Sequence, residues 1–278
     1  MSIPSYPLRG DLKLLVVVEF AVQMKCDSCV EKIRKCLTNV DGISKFDVSL
    51  KDESVVLETT LPTSEILEKL ESTGCRAVLK GYGGGVCKTA AVAMVGNDCG
   101  RADGHIKGVI RFLQLDNDTC VIDGTIDGLE PGKHGIHVYE CGDISDGCES
   151  LGGHYNPQNT THGGPLDNAG CRHAGDLGNI SANSEGRAVF RFTDSVLKVS
   201  DVIGRSVAVT DSEDDLGRGN NAGSLEDGNA GRKIACGIIA RSAGLFENTK
   251  RICACDGVTL WDERDVPLAG PGRRTAKV

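Results

Sequence analysis

The hydrophobic pattern of the chain changes near residue 80, and this change limits the folds that are open to it. Before that point, strand and helix patterns alternate in the order βαββαβ, which predicts an α+β ferredoxin-like sandwich. From residue 87 to residue 240, helical periodicity is absent, and short β-rich runs are separated by Gly, Asp and Asn turns. That texture favours an antiparallel sandwich or barrel. The sequence therefore predicts two domains of different classes.

These patterns divide the chain into four segments. We predict a ferredoxin-like domain over residues 1–80, a Gly-rich linker over 81–86, an all-β domain over 87–240 and a flexible polar tail over 241–278. Two stretches of the β domain, about 140–177 and 211–233, are too long for tight turns. Long loops in a compact domain usually carry function, so we expect the site there.

Charge and composition exclude several classes of function. The net charge of -8 repels phosphate backbones, and no Lys/Arg cluster alternates with aromatic residues, so we expect no nucleic-acid partner. The N-terminal apolar run Leu14–Val18 is too short to span a bilayer, and residues 1–9 lack the apolar core of a signal peptide. We therefore expect a cytoplasmic protein without stable membrane insertion. In that reducing compartment, the 13 cysteines are better explained as metal ligands or redox-active thiols than as a disulfide framework.

The first thiol pair lies in the segment Met24-Lys25-Cys26-Asp27-Ser28-Cys29, between the predicted first strand and first helix. A helix N-terminus stabilises thiolate, and two exposed thiolates give the low coordination number that Cu(I) accepts and Zn(II) does not. A thioredoxin-like redox motif, half of a zinc ribbon and chance are the alternatives. A thioredoxin-like motif requires a different order of strands and helices, and a zinc ribbon requires another CxxC in this domain. Cu(I) binding is therefore favoured. We expect Met24 to pack beneath the loop.

A second thiol pair, Cys253-Ala254-Cys255, lies in the tail. Its one-residue spacer makes an intramolecular disulfide strained and therefore oxidising, and it also lets both sulfurs bind one Cu(I). Cys75 follows the predicted second helix, whose loop approaches the CxxC loop in this fold, so a third sulfur beside Cu(I) stays open. Six further cysteines have no evident partner and are expected to be free: Cys36, Cys87, Cys99, Cys120, Cys141 and Cys171.

Two resemblances follow from these motifs. Residues 12–80 resemble the heavy-metal-associated domain of small copper chaperones. The β domain is strongly similar to Cu,Zn superoxide dismutase, a Greek-key barrel, in the motifs GIHV (135–138), GGHYNP (152–157), HGGP (162–165), HAGDLGN (173–179), DDLG (214–217) and GNAG (228–231). Because the two regions are joined in one chain and a Cys-x-Cys motif follows them, the whole chain resembles the family of copper chaperones for superoxide dismutase.

The resemblance implies a complete zinc site and an incomplete copper site. The zinc ligands fall on His154, His162, His173 and Asp176, with Asp214 orienting the imidazoles. Of four copper-binding histidines the chain keeps His137 and the bridging His154 but has Tyr139 and Thr210 at the other two positions. Neither a phenol nor an alcohol replaces imidazole through a copper redox cycle, so we expect negligible dismutase activity.

Three further assignments come from the same resemblance. Lys233 stands at the place of the arginine that guides superoxide, with Arg232 beside it. Cys148 and Cys236 match an intrasubunit disulfide. His105 and His134 match nothing and are expected to be surface histidines.

These expectations describe a metallochaperone rather than an enzyme. The N-terminal domain would carry Cu(I), and the β domain would bind Zn(II). Gly142-Asp143, Ile203-Gly204 and Gly237–Ile239 match the dismutase segments that form its dimer interface. The resemblance therefore implies that the β domain docks on Cu,Zn superoxide dismutase as a heterodimer through this patch, and a homodimer through the same patch is equally physical. Cys253 and Cys255 would transfer copper and catalyse disulfide formation in the target. The alternatives are a divergent superoxide dismutase with an attached copper-loading domain and a passive copper buffer.

Overall fold

The computed structural model describes residues 15–83, 89–96, 105–248 and Trp261, which fall into two compact units. The described part of the first unit comprises residues 15–83, 243–248 and Trp261, and that of the second comprises 89–96 and 105–242. Among the described residues, no helix is both long enough and apolar enough to cross a membrane.

The first unit has the predicted ferredoxin-like fold. Its elements are β1 (Val16–Val22), α1 (Asp27–Leu37), β2 (Ile43–Ser49), β3 (Ser54–Thr59), α2 (Thr63–Ser72) and β4 (Ala77–Gly83). The strands form an antiparallel sheet in the order β2-β3-β1-β4. Ile33 and Leu37 of α1 and Ile66 and Leu70 of α2 are buried, as their helical spacing predicts.

The fourth strand is longer than the sequence indicates. The predicted strand ends at residue 79 and the predicted linker begins at 81, whereas β4 continues to Gly83. Val17 and Val18 of β1 pair with Gly83 and Tyr82, and Tyr82 is buried. Cross-strand pairing therefore overrides the weak strand propensity of the glycines.

The second unit is a nearly closed antiparallel barrel, as predicted. Its strands are β5 (Ala90–Gly96), β6 (Lys107–Gln114), β7 (Cys120–Asp127), β8 (Gly132–Tyr139), β9 (Asp176–Ala182), β10 (Ala188–Asp194), β11 (Ser206–Thr210), β12 (Lys233–Ile238) and β13 (Ala240–Arg241). Short helices are α3 (Val199–Val202) and α4 (Ala222–Glu226). The strand order is β10-β7-β6-β5-β12-β11-β8-β9, β13 pairs with β5, and β9 lies beside β10. Leu, Ile, Val and Phe side chains of alternating positions fill the interior.

Two long connections leave the barrel, one between β8 and β9 and one between β11 and β12. The first contains two 3-10 turns, Glu149–Leu151 and Ala169–Cys171, and little other regular structure. The structure contains a disulfide between Cys148 of this connection and Cys236 of β12. A covalent bond thus holds the first part of the β8–β9 connection against the barrel.

A buried ion pair holds the later part of the same connection. Arg172 is fully buried, and its Nη2 lies 2.8 Å from Oδ2 of Asp194 at the end of β10. The guanidinium also donates hydrogen bonds to the carbonyl oxygens of Pro165 (2.9 Å) and His173 (3.2 Å). Asp194 Oδ1 accepts the backbone N–H of Leu197 at 2.7 Å. The sequence pattern did not indicate this pair, because nothing local marks either residue.

Replacing Arg172 by methionine should destabilise the barrel strongly. The substitution leaves the Asp194 carboxylate buried without its counter-charge, which typically costs about 3–5 kcal/mol of unfolding free energy. Arg218→Met is the matched control, because Arg218 pairs with Asp167 at 2.7 Å but is largely exposed, and such pairs contribute about 1 kcal/mol or less. Urea unfolding of the two zinc-loaded variants measures both values, and equal losses would contradict the anchoring role.

Candidate metal centre

Three imidazoles and one carboxylate converge at the base of the β8–β9 connection. Oδ1 of Asp176, the first residue of β9, lies 2.9 Å from Nδ1 of His154, 3.0 Å from Nδ1 of His162 and 3.2 Å from Nδ1 of His173. The Nδ1 atoms of His154 and His173 are 3.5 Å apart, and all four side chains are buried. Neighbouring ligand atoms of a tetrahedral zinc site are roughly 3.3 Å apart, so these separations match one.

The hydrogen bonds around this cluster explain why it needs a cation. His162 Nε2 lies 2.8 Å from Oδ1 of Asp214, and because a carboxylate only accepts, the ring N–H must be on Nε2. The lone pair of His162 Nδ1 then faces Asp176 Oδ1, and two acceptors at 3.0 Å repel unless a proton or metal lies between them. Asp176 Oδ2 is fixed by the backbone N–H groups of Gly163 (3.1 Å) and His173 (2.8 Å). The donor set therefore fits a divalent metal, and its chemistry is that of zinc.

The pKa shifts of these side chains agree with a cation site. Burial and the charge of His137 lower the pKa of His154 to about 3, so His154 is neutral and able to ligate at pH 7. Burial lowers the pKa of His162 too, but its hydrogen bonds to Asp176 and Asp214 outweigh burial and raise the pKa to about 9. His162 therefore carries a proton in the metal-free state, and metal binding would release it. Burial raises the pKa of Asp176, but hydrogen bonds from the three histidines outweigh it and hold that pKa below its usual range.

Asp214, in the β11–β12 connection, lies between two histidines. Its Oδ1 contacts His162, and its Oδ2 lies 2.9 Å from Nε2 of His137. His137 stacks on His154 with ring centroids 4.0 Å apart, and its Nδ1 is buried without a hydrogen-bond partner among the described residues. His137, His154, His162 and Asp176 also place ligand atoms within 4.8 Å of one another. We favour the set with His173, because its Nδ1 is 3.2 Å from Asp176 while Nε2 of His137 is engaged by Asp214.

The neighbouring pocket lacks the donors of a four-histidine copper site. Tyr139 is buried with its ring edge-on to His154 at 5.2 Å between centroids, and burial raises the pKa of its phenol. Thr210 Oγ1 donates a hydrogen bond to the Gly135 carbonyl at 3.2 Å. Nζ of Lys233 lies 4.9 Å from the Tyr139 ring centroid. Near His137 and His154, Tyr139 and Thr210 thus offer a phenol and a hydroxyl instead of two further imidazoles.

One histidine differs from its sequence-based expectation. His134 was expected on the surface, but it is buried, and its ring nitrogens each lie 2.8 Å from a carbonyl oxygen, those of Thr210 and Glu130. It thereby connects β8 to the end of β11. His105 is exposed, as expected.

The CxxC thiols lie at the start of α1. Cys26 is the N-cap residue, and its Sγ is 3.9 Å from Sγ of Cys29 and 3.0 Å from Oγ of Ser28. The Ser28 hydroxyl and then the backbone N–H of Cys29 lower the pKa of the exposed Cys26 thiol, which favours thiolate. Met24 is buried beneath the loop, as predicted. Cys75 is buried, and burial, with a smaller contribution from Cys29, raises the pKa of its thiol.

The remaining cysteines are accounted for as follows. Among the described residues, four free cysteines have no role in these sites: Cys36, Cys120, Cys141 and Cys171. The predicted tail pair, Cys253 and Cys255, lies outside the described residues, as do Cys87 and Cys99.

Comparison with known proteins agrees with this architecture. The model of the copper/zinc superoxide dismutase family matches residues 106–239, and that of the heavy-metal-associated domain matches residues 19–75. The copper chaperone for superoxide dismutase of Homo sapiens is 52% identical over 95% of both chains, and the chloroplastic one of Oryza sativa is 36% identical over 89% of this chain and 71% of its own. Superoxide dismutase [Cu-Zn] A of Xenopus laevis is 46% identical over 49% of this chain and 90% of its own. The chain belongs to the family of copper chaperones for superoxide dismutase.

Proposed function

We propose that this protein carries Cu(I) on Cys26 and Cys29, delivers it to Cu,Zn superoxide dismutase and promotes the target's intrasubunit disulfide through Cys253 and Cys255. The observation that carries the proposal is that thiol ligands and imidazole–carboxylate ligands lie in different units of the chain. Two soft thiols, an exposed one on Cys26 and a half-buried one on Cys29, lie at the start of α1, whereas the barrel has a complete imidazole–carboxylate set and a broken copper set. Copper is therefore cargo of the thiols rather than a resident of the barrel. The proposal places this work in the cytoplasm, where thiols are kept reduced.

The CxxC loop suits a cargo that must leave again. Two thiolates give Cu(I) a low coordination number, and an incoming thiolate can add before either bond breaks. Cys26 is exposed, so such a thiolate has access to it. Cys75 is a candidate for a third ligand, since Cys29 is among the groups that, after burial, raise the pKa of its thiol. We assign acquisition of Cu(I) to this site.

The barrel's zinc has a structural task in this proposal. His154, His162, His173 and Asp176 would hold Zn(II) as a closed four-ligand set, and Asp214 would fix His162 from outside the ligand shell. A zinc ion with four protein ligands stabilises the fold and leaves no coordination position open for a substrate. Dismutase activity of the barrel is the competing function, and Tyr139 and Thr210 argue against it because neither sustains a copper redox cycle.

A docking surface is available where three segments of the barrel adjoin. Gly204 N–H donates to the Ile239 carbonyl at 2.8 Å, and Gly142 packs directly against Gly204. Ile144 and Ile238 nearby are 38% and 39% exposed. A barrel of this family can occupy the place of one dismutase subunit in a two-fold interface, because such an interface is self-complementary. We propose this patch for the heterodimer with the target and for a homodimer of the chain.

Placing a charge in this patch should weaken both associations. Ile238→Asp would bury an uncompensated carboxylate, and we expect the dissociation constant for copper-free, disulfide-reduced superoxide dismutase to rise at least about thirtyfold. Val189→Asp is the control, since Val189 is 43% exposed on β10, which is four strands away from β12 in the strand order. Titration calorimetry with the target and sedimentation of the chaperone alone measure the two effects. Equal weakening by both substitutions would place docking elsewhere.

The tail chemistry is a thiol–disulfide exchange. A target thiolate attacks one sulfur of the Cys253–Cys255 disulfide, that S–S bond breaks, and the released tail thiolate takes a proton. The second target thiolate then displaces the tail from the mixed disulfide, so the target gains its disulfide and the tail carries two thiols and two more electrons. Each oxidised tail serves one target, and a further cycle requires re-oxidation, for which molecular oxygen is the proposed oxidant.

Removing the tail thiols should abolish maturation and nothing else. In Cys253→Ser/Cys255→Ser we expect unchanged zinc content, barrel stability and target docking, but no conversion of copper-free, reduced dismutase to active enzyme. Replacing one tail cysteine alone removes the tail disulfide. With molecular oxygen as the two-electron oxidant, the remaining tail thiol should then form a mixed disulfide with a target that keeps only one cysteine of its pair, visible on a non-reducing gel. Cys141→Ser/Cys171→Ser controls for loss of exposed free thiols. Wild-type rates in the tail double variant would refute the proposed mechanism.

A further inference from the structure

Trp261 belongs to the same unit as the N-terminal sheet and packs on it. Its side chain is 7% exposed and lies against Ala21 of β1 and Val78 of β4. The indole Nε1–H donates to the Ala21 carbonyl at 3.3 Å, and Arg76 Nη2 donates to the Trp261 carbonyl at 2.8 Å. Buried aromatic surface with its polar atom paired is typical of an anchor residue.

A second contact joins residues 243–248 to the same two strands. Glu19 of β1 is buried; its Oε1 lies 2.9 Å from Nζ of Lys80, and its Oε2 accepts the backbone N–H of Phe246 at 2.8 Å. A buried carboxylate requires such partners, and the tail backbone supplies one of the two. Phe246 adopts φ 61°, a left-handed conformation that is unusual for a bulky residue and persists where the surroundings impose it.

Glycines of β4 make room for this segment. A Cβ on Gly83 would lie 2.5 Å from Cδ1 of Leu245, and one on Gly81 would lie 2.7 Å from the carbonyl oxygen of Gly244. Glycine weakens a strand interior, and the close approach of another backbone is a physical reason for it there. Gly81 and Gly83, which the sequence assigned to a linker, thus lie in contact with Gly244 and Leu245.

The contacts lie on one face of the sheet. Glu19 and Ala21 alternate along β1 with Val18 and Phe20, so they point to the opposite face from those two residues. We propose that this face is a docking site for the chain's own C-terminal segment and that the segment must leave it before the tail thiols act on the target. The second part rests on the function proposed above.

Chain length supports the requirement for release. Cys255 precedes Trp261 by six residues, which span at most roughly 21 Å when fully extended. Cys253 and Cys255 also lie in sequence between the two contacts, at Phe246 and Trp261. A tail fixed at both places can therefore present its thiols only near the N-terminal unit. A target thiol farther away would react only with the released tail.

Trp261 is the sole tryptophan of the chain, so its fluorescence reports docking directly. The release variant is Ala21→Gln/Gly83→Val, which crowds the indole and displaces Leu245 while leaving the cysteines intact. Gly170→Val is the control, because an added Cβ there meets nothing within 4 Å. We expect acrylamide to quench wild type and control weakly and the release variant several-fold more strongly, with unchanged circular dichroism and unchanged Cu(I) binding by the variant.

The second readout is maturation of copper-free, reduced dismutase by each full-length protein, with Cu(I)–glutathione in excess. In the wild type, the tail is docked in a fraction of the molecules and cannot react with the target there. The release variant should therefore mature the target about threefold faster or more. Equal quenching of wild type and release variant would refute docking, and a variant that is undocked but no faster would refute release as a step. Failure of wild type to mature the target would instead refute the proposed function, since the quenching experiment contains no target.

Discussion

The second unit is organised by the approach of three imidazole nitrogens to one oxygen of Asp176. Because the Asp176 carboxylate only accepts, each imidazole nitrogen that lies 2.9–3.2 Å from its Oδ1 must carry a proton or share a cation with it. The three histidines come from one irregular connection, and Asp214, which orients His162, comes from the other. A zinc ion here would thus fix two long loops that have little regular structure of their own. Arg172 and the Cys148–Cys236 disulfide hold the first of these loops against the barrel.

The same geometry distinguishes the barrel from a four-histidine copper site. His137 and His154 stack face to face, but the space beside them is occupied by Tyr139 and Thr210. A neutral phenol buried in an apolar setting is held protonated, since burial raises its pKa, and it is a poor copper ligand in that form. In the proposed function copper does not reside in the barrel, and the thiols of Cys26 and Cys29 in the first unit are the sites suited to Cu(I). The proposal therefore assigns structural metal binding to the imidazole–carboxylate set of the barrel and metal transfer to the thiols.

Much of this could be predicted from the sequence. Alternating apolar positions predicted both folds, and the spacing of Cys26 and Cys29 predicted a thiol pair at a helix start. The Arg172–Asp194 pair, the burial of His134 and the contact of Trp261 with Ala21 were missed. Each depends on residues distant in sequence whose encounter is decided by packing, and no local pattern encodes it. The extension of β4 was missed for a related reason, because pairing with β1 stabilises glycines that alone indicate a linker.

The central claim is that the barrel keeps zinc and does not keep copper. Its most direct measurement is the metal content, by plasma mass spectrometry, of full-length protein in which Cys26, Cys29, Cys253 and Cys255 are replaced by serine. After loading with both metals and removal of excess, the account predicts one zinc per chain and no stoichiometric copper. Loss of that zinc in the additional variant His173→Ala would assign it to the cluster around Asp176. One tightly held copper per chain, with dismutase activity, would contradict the account.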